Sequence, residues 1–335
     1  MPLPLIGDLI RFGVDAVPGL RHAIPYAPHI SALAFIRWYC GGASNGDERV
    51  MHGKVAIITG GTSGIGKAVA YELASRGCQI VLLMKNASDA FAVDQIEDMR
   101  QATNNMLIYA EECDLSSLHS IRLFATKWIN NSPPRRLDLV ICCAGVMAPP
   151  FAKRVQTTDG IEQHWGINYL AHFHLINILT PCLKAQPPDR DVRVMFTTCT
   201  AYVMGSLDLS DLEFTERGYP SKRPWICYGA SKMALMAYAV ELQRRLSAYE
   251  RPDKLPMNVR TFMIEPGYTR SPGMRRWLSM GSILGLLVYL ITWPFWWLIL
   301  KSTKQAAQTF LTCAMSRECG KGEGGSYMRE CRFAK

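Results

Sequence analysis

The chain has eleven cysteines but no Cys-x-x-Cys pair and no regular spacing, which argues against a structural zinc site or a disulfide framework. Buried free thiols in a reducing compartment account for such a set, with Cys142 and Cys143 adjacent inside an apolar run. No long basic run is present. The excess of Lys and Arg that leaves a formal net charge of +9 is scattered in pairs such as Arg135/Arg136, Arg244/Arg245 and Arg275/Arg276. With no nucleic-acid-binding motif either, the sequence speaks against a nucleic-acid partner. The amino terminus lacks the basic start, compact apolar run and small-residue cleavage site of a signal peptide. No repeat at a solenoid period is visible. No cluster of metal ligands is visible, and no metal is expected. His172 and His174, two apart on one predicted helix, point to different faces and are expected to pack or bond locally.

What is present is an apolar chain of 335 residues, 49% hydrophobic, able to bury a sizeable core. Residues 1–50 read as an apolar arm and linker. Leu3–Val17 and Ile30–Trp38 are expected as short helices, lying on a membrane or packed on the domain as a surface arm. Cys40 to Asp47 reads as the linker. From residue 51 to 335 short β-branched runs alternate with helical stretches. Strands are predicted at Val55–Thr59, Gln79–Met84, Met106–Glu111, Leu137–Cys142, Val192–Thr197, Met257–Ile264 and Gly325–Arg329. Helices are predicted at Ile65–Arg76, Ser117–Asn130, Gly160–Leu183, Tyr228–Tyr249 and Thr303–Met315. The alternation predicts an α/β domain, a doubly wound parallel sheet of Rossmann type with right-handed crossovers.

The first strand runs into Thr59-Gly-Gly-Thr-Ser-Gly-Ile-Gly-Lys67 and then a helix. Gly60, Gly64 and Gly66 permit the tight turn and let backbone approach a pyrophosphate, with Thr62, Ser63 and Ile65 among the contacts. The helix amino terminus offers unpaired N–H groups and the positive end of its dipole. Strand two ends in Lys85-Asn86, with no carboxylate to take ribose hydroxyls. Lys85 stands where a 2′-phosphate would lie, which points to NADP(H), the alternative being a solvated lysine. Asp114, just past strand three, is placed for the adenine. Tyr228 and Lys232, four apart, share a helical face. A phenol titrates near 10, too high for efficient acid–base work at neutral pH, and an adjacent ammonium lowers it. Lys232 could also hold the nicotinamide ribose.

Taken together, Gly60–Gly66, Asp114, Cys-Cys-Ala-Gly145, Asn168 and Tyr228-x-x-x-Lys232 resemble the short-chain dehydrogenase/reductase family over the chain from Gly53 onward. Ala144-Gly-Val-Met147, Asn168-Tyr-Leu-Ala-His-Phe173 and the stretch Leu207–Gly218 resemble its retinol-dehydrogenase-like branch, and within it fungal lipid-droplet oxidoreductases. The resemblance implies Tyr228 as proton donor, Lys232 as its tuner and Asn168 in a proton relay. Ala144 and Gly145 would lie against the cofactor. The Pro266-Gly267 loop would pass over the nicotinamide, with Thr269 or Ser271 contacting its carboxamide. Two departures stand out. Cys142 and Cys143 replace a pair of asparagines, and Cys199 falls where the family has its catalytic serine. Thr198 or Thr200 is expected to bind the substrate carbonyl in its place.

Trp277 to Leu300 carries no charged side chain, and at 1.5 Å per residue a straight helix over it would be ~36 Å long, enough to cross a bilayer. Crossing would strand Thr303–Met315 and the last strand on the wrong side of the membrane, leaving an unpaired sheet edge. The run is therefore expected as a monotopic insertion, a re-entrant hairpin or in-plane helix broken at Gly281, Gly285 and Pro294, with Trp293, Trp296, Trp297 and Tyr289 at interfacial depth. A hydrophobic lid or dimer surface is the alternative. In the resembled family this connection forms the substrate lid, so an apolar substrate would enter from lipid. The expected protein is an NADP(H)-dependent oxidoreductase reducing a lipophilic ketone or aldehyde, or oxidising the alcohol, with its catalytic domain on the cytosolic face of a lipid droplet or endoplasmic reticulum membrane. The alternative is a cofactor-binding, catalytically weak scaffold of the droplet surface. A homodimer stays open.

Overall fold

The computed structural model describes Arg11 and residues 24–334; the expected helix Leu3–Val17 lies outside the described residues except for Arg11. The chain builds one eight-stranded sheet in the order β3-β2-β1-β4-β5-β6-β7-β8. Its strands are β1 (Val55–Thr59), β2 (Gln79–Met84), β3 (Ile108–Glu112), β4 (Leu139–Cys142), β5 (Val192–Thr197), β6 (Val259–Glu265), β7 (Ser326–Arg329) and β8 (Arg332–Ala334). All pair in parallel except β8, which turns back antiparallel along β7. This is the doubly wound Rossmann-type architecture expected. The short, largely exposed edge strand β8 was not foreseen.

The central strands are apolar without alternation because both faces of a parallel sheet are covered. Ala56, Ile58, Ile80 and Leu82 face a layer formed by α2 (Gly64–Ser75), α3 (Ala90–Thr103) and α10 (Thr303–Met315). Val55, Ile57, Val81 and Val140 face α4 (Leu118–Ile129), α5 (Ala171–Lys184) and α6 (Trp225–Ser247). Each fully buried aliphatic side chain contributes on the order of 1.5–3 kcal/mol. Helix ends follow local chemistry. Gly77 closes α2 at φ 84°, and Ser302 with Gln305 forms a capping box that starts α10.

Three helical elements depart from expectation. Helix α3 was missed, because only Ala92, Ile96 and Met99 of its residues are buried and its apolar signal is thin. The predicted helix Gly160–Leu183 instead begins with a wide π-type turn, His164–Leu170, that leads into α5. Helix α6 begins at Trp225, so Tyr228 lies within its first turn rather than at its start.

The apolar run forms an excursion whose ends meet. It comprises α7 (Pro272–Leu278), α8 (Ile283–Ile291) and α9 (Trp293–Ile299). At its base Lys301 N donates to Tyr268 O at 2.9 Å, and Arg270 N donates to Lys301 O at 2.9 Å. Among the described residues no single helix is long and apolar enough to cross a membrane, and α7 and α8 meet at 105°. The first break falls at Gly281, φ 64°, and the second at Thr292–Trp293, with Pro294 in the first turn of α9. Gly285 is not a break. It sits inside α8, its N–H donating to Ser282 Oγ at 3.0 Å. The outer faces of α8 and α9 are exposed, Ile283 and Ile291 by 83% and 80%. Beside α9 lies α1 (Ala27–Gly41), held by Arg37, which donates to Leu300 O at 3.1 Å and Gln305 Oε1 at 2.7 Å. Tyr26, Phe35, Trp38 and Tyr39 at its surface are exposed.

Candidate active site

At the carboxyl ends of β1, β4, β5 and β6 a cleft of about 810 Å³ collects the glycine turn, Cys143–Met147, Thr197–Cys199, Tyr228, Lys232 and Pro266–Thr269. Its outer wall is apolar, made by Met204, Trp225, Met274, Trp277, Leu278, Trp296 and Leu300. Parallel sheets with helices on both faces leave such a crevice at the strand ends.

The glycine turn is shaped by close approach. A Cβ on Gly60 would lie 2.8 Å from Ala144 Cα, and one on Gly66 only 2.3 Å from Gly60 O. The turn is thus pressed against the end of β4 on one side and against α2 on the other. Ser63, at the N-cap of α2, makes no side-chain cap bond, whereas Ser117, Ser271, Ser282 and Ser302 each cap their own helix. The first N–H groups of α2 therefore have no side-chain acceptor and face the cleft, as an anion would require. A dinucleotide's pyrophosphate fits this cradle.

At the end of β2, Lys85 pairs with Asp114 at 3.1 Å, so the two expected cofactor contacts are tied to each other. The lysine is 71% exposed, and such an ion pair is worth little, leaving Lys85 free to turn to a phosphate. Partial burial would raise the Asp114 carboxyl, but Ser116 N–H and hydroxyl together with Lys85 outweigh it and hold it below the usual range.

Tyr228 and Lys232 project from α6 into the floor of the cleft. The Lys232 ammonium donates to Thr197 O at 2.8 Å and lies 5.7 Å from the centre of the Tyr228 ring. Burial pushes the Tyr228 phenol well above its ordinary value, and the thiol of Cys199, within hydrogen-bonding reach, pushes the same way. Burial pulls the Lys232 ammonium down. The expected lowering of the phenol by the lysine is not found here, since burial and the neighbouring thiols all raise it. Tyr228 is held as neutral O–H, the form that donates a proton.

Asn168, fully buried, clamps Val146 twice: its Oδ1 accepts from Val146 N at 2.7 Å and its Nδ2 donates to Val146 O at 3.0 Å. Thr198 lines the cleft with a buried, unpartnered hydroxyl. Thr200 does not reach the cleft. Its hydroxyl donates to Tyr268 at 3.2 Å, and Cys199 takes the wall beside Tyr228, because Thr200 already opens the following 3-10 turn. In the loop after β6, Thr269 donates to Gly267 O at 3.0 Å while Ser271 accepts from Met274 N at 3.2 Å. Ser271 therefore keeps its hydroxyl hydrogen and Thr269 keeps its acceptor lone pairs.

Sequence reasoning missed Thr59. Its Oγ1 accepts from Cys143 N and from Ala144 N, both at 3.0 Å, and meets His172 Nε2 at 3.1 Å. This bracket braces the end of β4 where two cysteines stand in place of asparagines. A hydroxyl at the end of β1, next to the glycine turn, was the only signal for it. Among the described residues no group of three or more His, Cys, Asp or Glu side chains is disposed to hold a metal.

A sequence model of the short chain dehydrogenase family matches residues 54–206. An uncharacterized oxidoreductase of Schizosaccharomyces pombe is 42% identical over 100% of this chain and 89% of its own length. Retinol dehydrogenase 13 of Homo sapiens is 34% identical over 86% of this chain and 80% of its own. Among solved structures, the Pseudomonas aeruginosa RhlG/NADP active-site complex superposes with a TM-score of 0.60 at 21% identity, covering 84% of this chain and 97% of that one.

Proposed function

The chain belongs to the short-chain dehydrogenase/reductase family, and we propose that it is an NADP(H)-dependent enzyme that reduces a lipophilic ketone or aldehyde, or oxidises the alcohol, at a membrane or lipid-droplet surface. The observation that carries this reading is the shared wall. Trp277, Leu278, Trp296 and Leu300 line the cleft that holds Tyr228 and Lys232, and they belong to the same helical excursion whose outer face is exposed and apolar. So large an apolar surface marks an interaction site, and an apolar substrate would pass from lipid into the cleft without crossing water. The uncapped α2 terminus and the Gly60–Gly66 cradle fit the pyrophosphate, and Lys85 fits a 2′-phosphate.

The nicotinamide, when bound, supplies or accepts the hydride. The protein's own residues do the rest. Tyr228 donates the proton to the carbonyl oxygen from its neutral phenol, Lys232 supplies the adjacent positive charge, and Thr198 or Cys199 donates a hydrogen bond to the same oxygen. Ser271 has a free hydroxyl hydrogen for a carboxamide oxygen, and Thr269 has free acceptor lone pairs for its NH₂. The retinol dehydrogenases among the relatives support the expectation of an apolar alcohol or carbonyl.

The test is NADPH oxidation by detergent-purified protein against a panel of apolar ketones and aldehydes, beside Tyr228→Phe. Turnover that vanishes in the variant, with NADPH affinity retained, supports the enzyme. Tight NADPH binding with no turnover on any member of the panel would favour the scaffold reading, for which Cys199 in place of a serine is the pertinent feature.

A further inference from the structure

The segment Cys143–Met147, followed by Ala148, supplies one wall of the cleft, yet it has left the sheet at Cys142 and cannot be held by strand pairing. Its backbone N–H groups are instead taken up chiefly by side chains, those of His164 and Asn168 on one helical stretch and that of Thr59 at the end of β1, while Cys143 N also reaches Ile141 O at 3.1 Å. His164 Nε2 accepts from Ala148 N at 3.0 Å. Asn168 Oδ1 accepts from Val146 N at 2.7 Å. His172 acts through Thr59, whose Oγ1 accepts from Cys143 N and Ala144 N. All four side chains are fully buried.

The three helical residues are spaced by four, His164, Asn168, His172. In an α-helix four residues overshoot a turn of 3.6, whereas in a π turn, closed by i→i+5 bonds, they undershoot it. His164 to Asn168 lies in the π turn and Asn168 to His172 runs into α5, so the two drifts have opposite sign and keep the residues aligned. The wall segment presents the N–H groups of residues 144, 146 and 148 at a matching spacing of two.

Both histidines present Nδ1 to an oxygen that only accepts. Nδ1–H of His164 donates to Glu162 Oε1 at 2.7 Å, and Nδ1–H of His172 donates to Asn168 O at 3.1 Å. That leaves Nε2 of each as an acceptor, for Ala148 N–H and for the Thr59 hydroxyl respectively.

We propose that His164, Asn168 and the His172–Thr59 pair form a ladder of positioning residues that sets the cleft wall rung by rung. The Thr59 rung fixes Cys143 and Ala144 against the glycine turn, on the nucleotide side. The His164 rung fixes Met147 and Ala148, on the substrate side. The kinetic part of this proposal rests on the oxidoreductase reading above; the hydrogen-bonding part does not.

The experiment is hydrogen exchange resolved to single amides, together with NADPH affinity and substrate KM, on the full-length protein. The variants are Thr59→Val, His172→Gln, His164→Phe and His164→Gln. Thr59→Val is expected to accelerate exchange at Ala144 and, less, at Cys143, which keeps Ile141 O as an acceptor, to leave Ala148 unchanged, and to weaken NADPH binding about tenfold, as loss of an acceptor for buried N–H groups implies. His172→Gln is expected to move the same two amides less, and it carries the test if the valine variant does not fold. His164→Phe is expected to accelerate Ala148 alone and raise the substrate KM about tenfold, with NADPH affinity within twofold. His164→Gln, which restores an acceptor near the Nε2 position, should recover both. Acceleration of all the wall amides together in every variant, or of none, would overturn the ladder. Rung-specific exchange in a protein that turns over no carbonyl would uphold the ladder and sink the oxidoreductase reading.

Discussion

Replacing His172 with glutamine should remove a defined piece of acid sensitivity from this protein. His172 is 0% exposed, and burial lowers its ring from 6.5 to about 4, the hydrogen bond to Asn168 O opposing only in part. As pH falls below 6.5 the unfolded chain takes up the proton first, while the folded ring stays neutral until about pH 4. The contribution of the neutral ring is therefore complete above pH 6.5 and is lost between pH 6.5 and about 4. At about 1.4 kcal/mol for each tenfold step in the proton equilibrium, that interval corresponds to about 3 kcal/mol. The assay is urea unfolding at pH 7.5, 6, 5 and 4.5 for wild type and His172→Gln, comparing midpoints at constant m. The variant should start less stable at pH 7.5, because it loses one bond to a buried partner. Its deficit should then shrink steadily toward pH 4.5, because it has no ring to protonate. Curves that stay parallel across the window would refute the assignment of His172 as a buried neutral acceptor.

Lys85→Ala should weaken NADPH about tenfold in a fluorescence titration while leaving NADH within twofold, because the lysine's present partner, Asp114, is an exposed ion pair of small worth. Equal losses for the two nucleotides would remove the 2′-phosphate from the argument. Cys199→Ser should preserve or raise kcat, since a hydroxyl is a better donor than a thiol beside Tyr228. Cys199→Ala should lower kcat about tenfold, and wild-type kcat in the alanine variant would show that the thiol takes no part.

Strands β2 and β5 and helix α10 have the bounds expected from their apolar patterns, because burial on one or both faces leaves a periodicity that composition cannot hide. Helix α3 left too little of that pattern to be read, with Asp94, Glu97 and Asp98 on its outer side, and β8 is short and half-exposed. The π-type turn at His164–Leu170 has no period distinct enough from an α-helix to be seen in seven residues. In the cleft, the glycine turn, Tyr228 and Lys232 were legible because their chemistry depends on local spacing within one turn or helix. The choice among Thr198, Cys199 and Thr200 was not. It is decided by which side chain the chain direction after β5 presents to Tyr228, and the 3-10 turn sends Thr200 to Tyr268.

By itself the sequence determined the α/β order of elements, the dinucleotide turn, the tyrosine–lysine pair and the uncharged run Trp277–Leu300, since each is written in consecutive residues a few positions apart. Only the tertiary structure fixed the point at which this run, expected to dip in and return, rejoins the domain, where Lys301 bonds Tyr268 and Arg270, and which of its side chains wall the cleft. Only it joined Thr59 to His172, 113 positions apart in sequence. Contacts of that kind follow from which strands lie side by side, and strand order is set by the packing of the whole sheet rather than by any local stretch of the chain.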